Sequence, residues 1–257
     1  MTSLSWLRSP ATQSCIDVVS RGAFSPAAVL FDVDGTLAVG SNTHLHVLAE
    51  VALAELGVQV EFDVSTEAPH MNGVDISGWI DAQIWRELLA RAGSAGDATE
   101  LQRLVARHGE RFAQWLAVGG RAGSPVPGAF EAIAALRAKG VPLALVTGNA
   151  HRVAEAKLRY LGLADPFEFH PDGGFGDWRA NRSALPSAAL VRLGATPADV
   201  QTAVLVGDTV LDMISARDAG VIGIGVMTGA NDEDELLRAG ARFVLSSVAV
   251  LPGIWHR

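Results

Sequence analysis

Asp32 and Asp34 stand two residues apart directly after the apolar run Ala27-Ala28-Val29-Leu30-Phe31, with Gly35, Thr36 and Leu37 behind them. A run that is apolar throughout, and not alternating, reads as a strand buried on both faces of a parallel sheet. Ligands of such sheets bind beyond the carboxyl ends of the strands. Two carboxylates placed there cost free energy unless a cation or a shared proton relieves them. Two further apolar runs end the same way. Val141–Val146 leads into Thr147-Gly148-Asn149, and Ala203–Val206 leads into Gly207-Asp208-Thr209, with Asp212 one helical turn beyond Asp208. The common placement points to one site, and the carboxylates point to a hard cation with oxygen ligands, namely Mg²⁺. Asp32 and Asp208 are the expected ligands. Asp34 is expected to offer its backbone carbonyl, and Asp212 to serve as a ligand or as an orienter behind the ligands.

The chemistry this arrangement suits is phosphoryl transfer. One aspartate, Asp32, attacks phosphorus and forms an aspartyl-phosphate. The second, Asp34, protonates the leaving oxygen and later activates water; the neighbouring carboxylates are expected to raise its pKa. The Thr147 hydroxyl and the amides of Gly148 and Asn149 are placed to hold phosphate oxygens at a helix N-terminus, and Thr36 is grouped with these phosphate-binding residues. His44 and His46 are two apart, so they diverge on a helix and do not form a metal pair.

Between the first strand and the second lie segments with helical periodicity, over His44–Leu56, Trp79–Arg91 and Ala98–Val118. Three or four helices are too many for one crossover. The expected organisation is an N-terminal extension (1–25), an α/β core (26–40 plus 123–257) and an inserted helical cap (41–122). The Gly/Pro-rich stretch 119–128 is the expected hinge. The strand–helix alternation that follows predicts a doubly wound, Rossmann-like parallel sheet. A short strand is expected at Phe167–Phe169. Within the cap, Met71, Asn72, Gly73, Asp75 and Trp79 are candidates for the substrate pocket, because a polar, glycine-containing segment before a helix can form a specificity loop.

With 257 residues, of which 49% are hydrophobic and 19% charged, the chain can bury a sizeable core and is not disordered. A formal net charge of −8 argues against a nucleic-acid partner. Cys15 is the only cysteine, so no internal disulfide forms. Arg8, Gln13, Asp17 and Arg21 interrupt any apolar signal segment, and no stretch is long and apolar enough to span a membrane. These features predict a cytoplasmic protein, monomeric or homodimeric, that acts on a small phosphorylated metabolite and binds neither nucleic acid nor membrane.

Asp32-Val33-Asp34-Gly35-Thr36 resembles the first motif of the haloacid dehalogenase (HAD) superfamily. Thr147 matches its second motif, and Gly207-Asp208-Thr209-Val210-Leu211-Asp212 its fourth. The long insertion after the first motif is similar to the helical cap of the phosphoglycolate-phosphatase-like and β-phosphoglucomutase-like branch. The resemblance covers about residues 27–250 and implies a magnesium-dependent phosphatase. One departure stands out. Many relatives of that branch carry Lys-Pro as the third motif, and no lysine occurs in 176–186. Arg182 is the expected third-motif cation, with Arg179 and Lys157 as alternatives; an arginine can bridge carboxylate and phosphate. A phosphomutase and a non-catalytic phospho-acceptor or regulatory domain remain as rival expectations. Dehalogenation is disfavoured, because a halide leaving group needs no acid at Asp34.

Overall fold

The structure, a computed structural model, describes residues 25–254. Cys15 and nearly all of the expected N-terminal extension lie outside the described residues.

The chain opens with β1 (Val29–Phe31), apolar and buried along its length, and turns through β2 (Ala38–Val39) into α1 (His44–Leu56). Next come β3 (Phe62–Asp63), β4 (His70–Met71), β5 (Val74–Asp75), α2 (Asp81–Arg91) and α3 (Ala98–Ala117). The chain returns through β6 (Ser124–Pro125) to α4 (Ala129–Ala138), β7 (Leu143–Thr147), α5 (His151–Leu161) and β8 (Gly174–Phe175). A 3₁₀ turn at Arg182–Ala184 leads into α6 (Leu185–Arg192) and α7 (Pro197–Val200). The remainder runs β9 (Val204–Gly207), α8 (Val210–Ala219), β10 (Ile222–Val226), α9 (Glu233–Ala239), β11 (Phe243–Leu245) and α10 (Leu251–Ile254).

Six strands form one sheet in the order β11-β10-β9-β1-β7-β8, parallel at every pairing. From β1 the chain moves outward through β7 to β8, then crosses to the other side of β1 for β9, β10 and β11. The direction of winding therefore reverses beside β1, which is where a doubly wound sheet opens a crevice for ligands. Helices cover both faces, as the unbroken apolar strands require. On one face Leu30, Val146 and Leu205 join a cluster that continues into the inserted segment through Trp85 and Phe112; on the other, Val29, Phe31, Val204 and Val206 pack with Leu136, Leu158 and Leu245.

Two expectations need correction. The sixth strand is Gly174–Phe175 and not Phe167–Phe169, because the earlier stretch is used for packing: Phe167 sets its ring edge-on to Phe31, and Phe169 stacks on Phe175. The segment 41–122 also holds more than helices. β3, β4 and β5 form a small antiparallel sheet, and β2 pairs with β6 where the chain leaves and returns. These strands are two residues long, too short to leave an alternating pattern. No helix among the described residues is long and apolar enough to cross a membrane.

Candidate active site

The carboxyl ends of β1, β7 and β9 meet in one cleft, lined by Asp32, Asp34, Thr147, Gly148, Asn149, Arg182, Asp208 and Thr209 among others. Asp32 continues β1, donating its N–H to the Val206 carbonyl of β9 at 2.9 Å. Arg182 reaches in from the 3₁₀ turn. Its Nη2 lies 3.0 Å from Asp32 Oδ2, while Nε and Nη2 donate to Asp212 Oδ1 at 2.9 and 2.5 Å. The other oxygen of Asp212 accepts from the Thr209 N–H and hydroxyl at 3.0 and 2.6 Å, closing a capping box at the start of α8. Both Asp212 oxygens are thus occupied by Arg182 and Thr209, so the residue holds the arginine in place. Thr36, expected among the phosphate contacts, donates instead to Asp208 Oδ1 at 3.0 Å; the Ala230 N–H takes Oδ2 at 2.9 Å.

Asp32, Asp208 and Asp212 are all buried, with oxygens within 4.8 Å of one another. Burial pushes Asp32 up to about 7, against the pull of Arg182 and with the help of Asp212 and Asp34. Burial, Asp32 and Asp212 raise Asp208 well above the usual carboxylate range. Crowded carboxylates of this kind are what a divalent cation relieves. Gly35 and Gly229 cradle the Asp208 carboxylate so closely that a Cβ on either would fall within 2.3 Å of it. The donor set is all oxygen, which fits Mg²⁺.

Asp34 sits in a different setting. Lys157 Nζ, fully buried on α5, donates to Asp34 Oδ1 at 2.5 Å and to Asn149 Oδ1 at 2.7 Å. Asn149 Nδ2 donates to Asp34 Oδ2 at 2.9 Å, and the Ser41 hydroxyl donates to Oδ1. Behind the lysine, His44 Nδ1 is 3.5 Å from Nζ, and His44 Nε2 is 3.7 Å from Asp81 Oδ1. Burial pushes the Asp34 carboxyl up, but Lys157, His44 and the hydrogen bonds from Lys157 and Ser41 outweigh it and hold the group at about 2. The expected rise in the Asp34 pKa is therefore reversed. The reason is Lys157, a cation on the buried face of a helix.

The inserted segment sits directly on this cleft through main-chain groups. The Asp81 N–H donates to the Gly148 carbonyl at 2.8 Å and the Ala82 N–H to the Gly176 carbonyl at 2.9 Å. Arg182 Nη1 donates to the Gly78 carbonyl at 3.2 Å, and Arg86 donates to the carbonyls of Trp178 and Arg179. In return, the Asp81 carboxylate accepts from the Ala150 N–H at 2.8 Å, capping α5. Gly148 permits this approach, since a Cβ there would lie 2.2 Å from the Trp79 carbonyl oxygen. Gly148→Ala is expected to unseat the segment and lower kcat/KM by about tenfold or more, with the thermal transition of the core retained.

The structure gathers Asp32, Asp34, Thr36, Thr147, Gly148, Asn149, Arg182, Asp208 and Asp212 into this site. It does not bring Asn72 and Gly73 there. They form the exposed turn between β4 and β5, both with positive φ (50° and 81°), and Asn72 is tied to Glu61 by the hydrogen bonds of its N–H and Oδ1. Asn-Gly there is a hairpin signal. Met71 is buried in the core cluster and Asp75 is exposed, which leaves Trp79 as the cleft residue of that group. Of the three candidate cations, Arg182 touches Asp32 and Lys157 touches Asp34, whereas Arg179 donates to the Asp172 carbonyl. Sequence reasoning passed over Glu67, Ser77 and Asp81. It set His44 aside for metal binding without finding its place beside Lys157.

A doubly wound parallel sheet that gathers aspartates, a threonine and a cation at adjacent strand ends is a framework suited to phosphoryl chemistry. The chain belongs to the haloacid dehalogenase-like hydrolase family, whose model matches residues 26–220. It is 32% identical over 232 residues to a phosphoglycolate phosphatase of Rhodospirillum rubrum, covering 90% of each chain. It is 31% identical over 206 residues to a phosphoglycolate phosphatase of Neisseria meningitidis, covering 80% of this chain and 82% of the relative. Among solved structures the fold is similar to CbbY from Rhodobacter sphaeroides (24% identity, 88% and 96% of the two chains, TM-score 0.59). It is also similar to β-phosphoglucomutase from Clostridium difficile (15% identity, 88% and 93%, TM-score 0.62).

Proposed function

We propose that this hydrolase is a Mg²⁺-dependent phosphatase that cleaves a small phosphate monoester through an aspartyl-phosphate on Asp32. The observation that carries the reading is the division of labour between two aspartates at one strand end. Asp32 faces Asp208 and Arg182, and Asp34 is held apart by Lys157, Asn149 and Ser41. The relatives named phosphoglycolate phosphatase support the reaction class.

Asp32, Asp208 and the Asp34 carbonyl would hold Mg²⁺, with Asp212 behind them, and the ion would offset charge between carboxylate and phosphate. Arg182 fixes the Asp32 carboxylate in position for attack on phosphorus. Thr147 and the Gly148 amide contact the phosphate oxygens. Further binding at the N-terminus of α5 is limited, because Asp81 and Asp177 already accept from the Ala150 and His151 N–H groups. As the bond from Asp32 to phosphorus forms, the ester oxygen leaves and needs a proton. Asp34 starts ionised, so that proton arrives with the substrate; a phosphate monoester has its second pKa near 6, and its monoanion passes the proton through Asp34. In the second half, Asp34 takes a proton from the water that attacks the aspartyl-phosphate, releasing phosphate and restoring Asp32; it then yields that proton to the departing phosphate or to solvent and returns to its ionised form. The segment 41–122 acts as a cap that excludes bulk water and shapes the pocket.

The test is phosphate release from p-nitrophenyl phosphate. Release in Mg²⁺ that stops with EDTA and returns with added Mg²⁺ is expected; absence of release in Mg²⁺ from this ester and from small phosphorylated metabolites alike would overturn the proposal.

A further inference from the structure

The cap side of the cleft carries two polar atoms that the protein leaves unanswered. Glu67, on the loop between β3 and β4, accepts the Gly40 N–H on Oε1 at 2.7 Å, while its Oε2 is buried without a hydrogen-bond partner. The Ser77 hydroxyl is likewise buried without one, although its loop is fixed by the Ser77 N–H donating to Asp75 Oδ1 at 2.8 Å. Both residues line the cleft that holds Asp34 and Trp79. A buried acceptor left unpaired keeps the full cost of its lost hydration, and native structures leave few. What faces Glu67 in the working enzyme should therefore bring a donor.

The cations of the site are already engaged. Among the described residues lining the cleft, Arg182 is the only lysine or arginine, and it is spread over Asp32, Asp212 and the Gly78 carbonyl. Lys157 is fully buried behind Asp34. The two ring nitrogens of His44 face Lys157 and Asp81. A second anion on the substrate would find no free guanidinium or ammonium here, and would meet the half-buried Glu67 carboxylate. The cavity volume of the cleft is about 50 Å³, which suits a small group beyond the phosphate.

We infer that the cleft selects phosphate monoesters whose small leaving group carries hydrogen-bond donors, hydroxyl or ammonium, and no carboxylate, with Glu67 and Ser77 reading those donors. The inference rests on the phosphatase reading above. It separates this chain from the substrate in the names of its relatives, whose glycolate carboxylate would lie against Glu67. Glu67 acts on selectivity by accepting from one class and repelling the other, and Ser77 adds a hydroxyl that can donate or accept.

The experiment compares kcat/KM for glycerol 3-phosphate, phosphoethanolamine and 2-phosphoglycolate in Mg²⁺, with p-nitrophenyl phosphate as the general probe. The better of the first two is expected to exceed 2-phosphoglycolate by about tenfold or more; which one leads distinguishes hydroxyl from ammonium donors. Glu67→Arg is expected to invert that ratio, and Glu67→Gln, nearly isosteric, to lower it by about fivefold or more. Preference of the unaltered protein for 2-phosphoglycolate would overturn the inference and leave the phosphatase reading standing. A ratio unmoved by both Glu67 variants would do the same. Failure to release phosphate from all four compounds would overturn both.

Discussion

Asp32→Asn is expected to lose turnover by about 10⁴-fold or more and, when metal-free at pH 8, to melt above the unaltered protein. The first effect follows from removing the attacking oxygen. The second follows from the charge crowding around it. Asp32 is raised from 3.8 to about 7 by burial, then by Asp212 and Asp34, with Arg182 opposing. A carboxyl whose folded pKa exceeds its unfolded value favours the fold while protonated. That contribution is complete below pH 4 and is lost as the pH rises through about 7. Asparagine carries no such penalty and still offers Arg182 an acceptor. The gain at pH 8 is on the order of 4 kcal/mol, or about 8–16 °C in a chain of this size. Saturating Mg²⁺ should narrow the difference, since it relieves the same repulsion in the unaltered protein. Calorimetry of both proteins between pH 4 and 8, with and without Mg²⁺, checks this. A variant no more stable than its parent under metal-free alkaline conditions would count against the crowded-carboxylate account.

Lys157→Met is expected to destabilise the protein by about 3–5 kcal/mol, because it leaves Asp34 buried without its cation. The volume is nearly kept, so charge accounts for the loss and not packing. The double variant Lys157→Met/Asp34→Asn should recover most of the stability, and denaturant titration of the four proteins yields the coupling directly. Activity separates positioning from scaffolding. The lysine holds Asp34 at about 2 against the effect of burial. Without it the carboxyl gains a proton at higher pH, and the base form is lost earlier on acidification. The acidic limb of kcat/KM in Lys157→Met should therefore move to higher pH, with kcat down about 100-fold. An acidic limb left where it was would show that the lysine only fills space.

The sheet, its winding and the three strand ends were legible because each is written locally, as an apolar run closed by Asp, Thr or Gly-Asp. Asp32, Thr147 and Asp208 could be placed together from that pattern alone, since a parallel sheet gathers its strand ends on one edge. Lys157 could not be assigned in the same way. Its signal is a single charge on the face that carries Val153, Ala154, Leu158 and Leu161, and nothing in the spacing says which carboxylate it meets more than a hundred positions away. Asn72-Gly73 carried a stronger local signal that belonged to a hairpin. Glu67 lies in a loop without periodicity, so its approach to the cleft depends on how β3 and β4 pair.

Five of the hydrogen bonds that join the inserted segment to the core end on carbonyl oxygens, those of Gly78, Gly148, Gly176, Trp178 and Arg179. Every residue has a carbonyl, so most of these acceptors survive replacement of the side chain that carries them. The joining of segment to core and the reading of a leaving group are thereby written in separate alphabets. A lineage can exchange Glu67 or Ser77 and explore new leaving groups without reinventing how the halves meet, and a designer grafting a different loop between β3 and α2 inherits the same freedom.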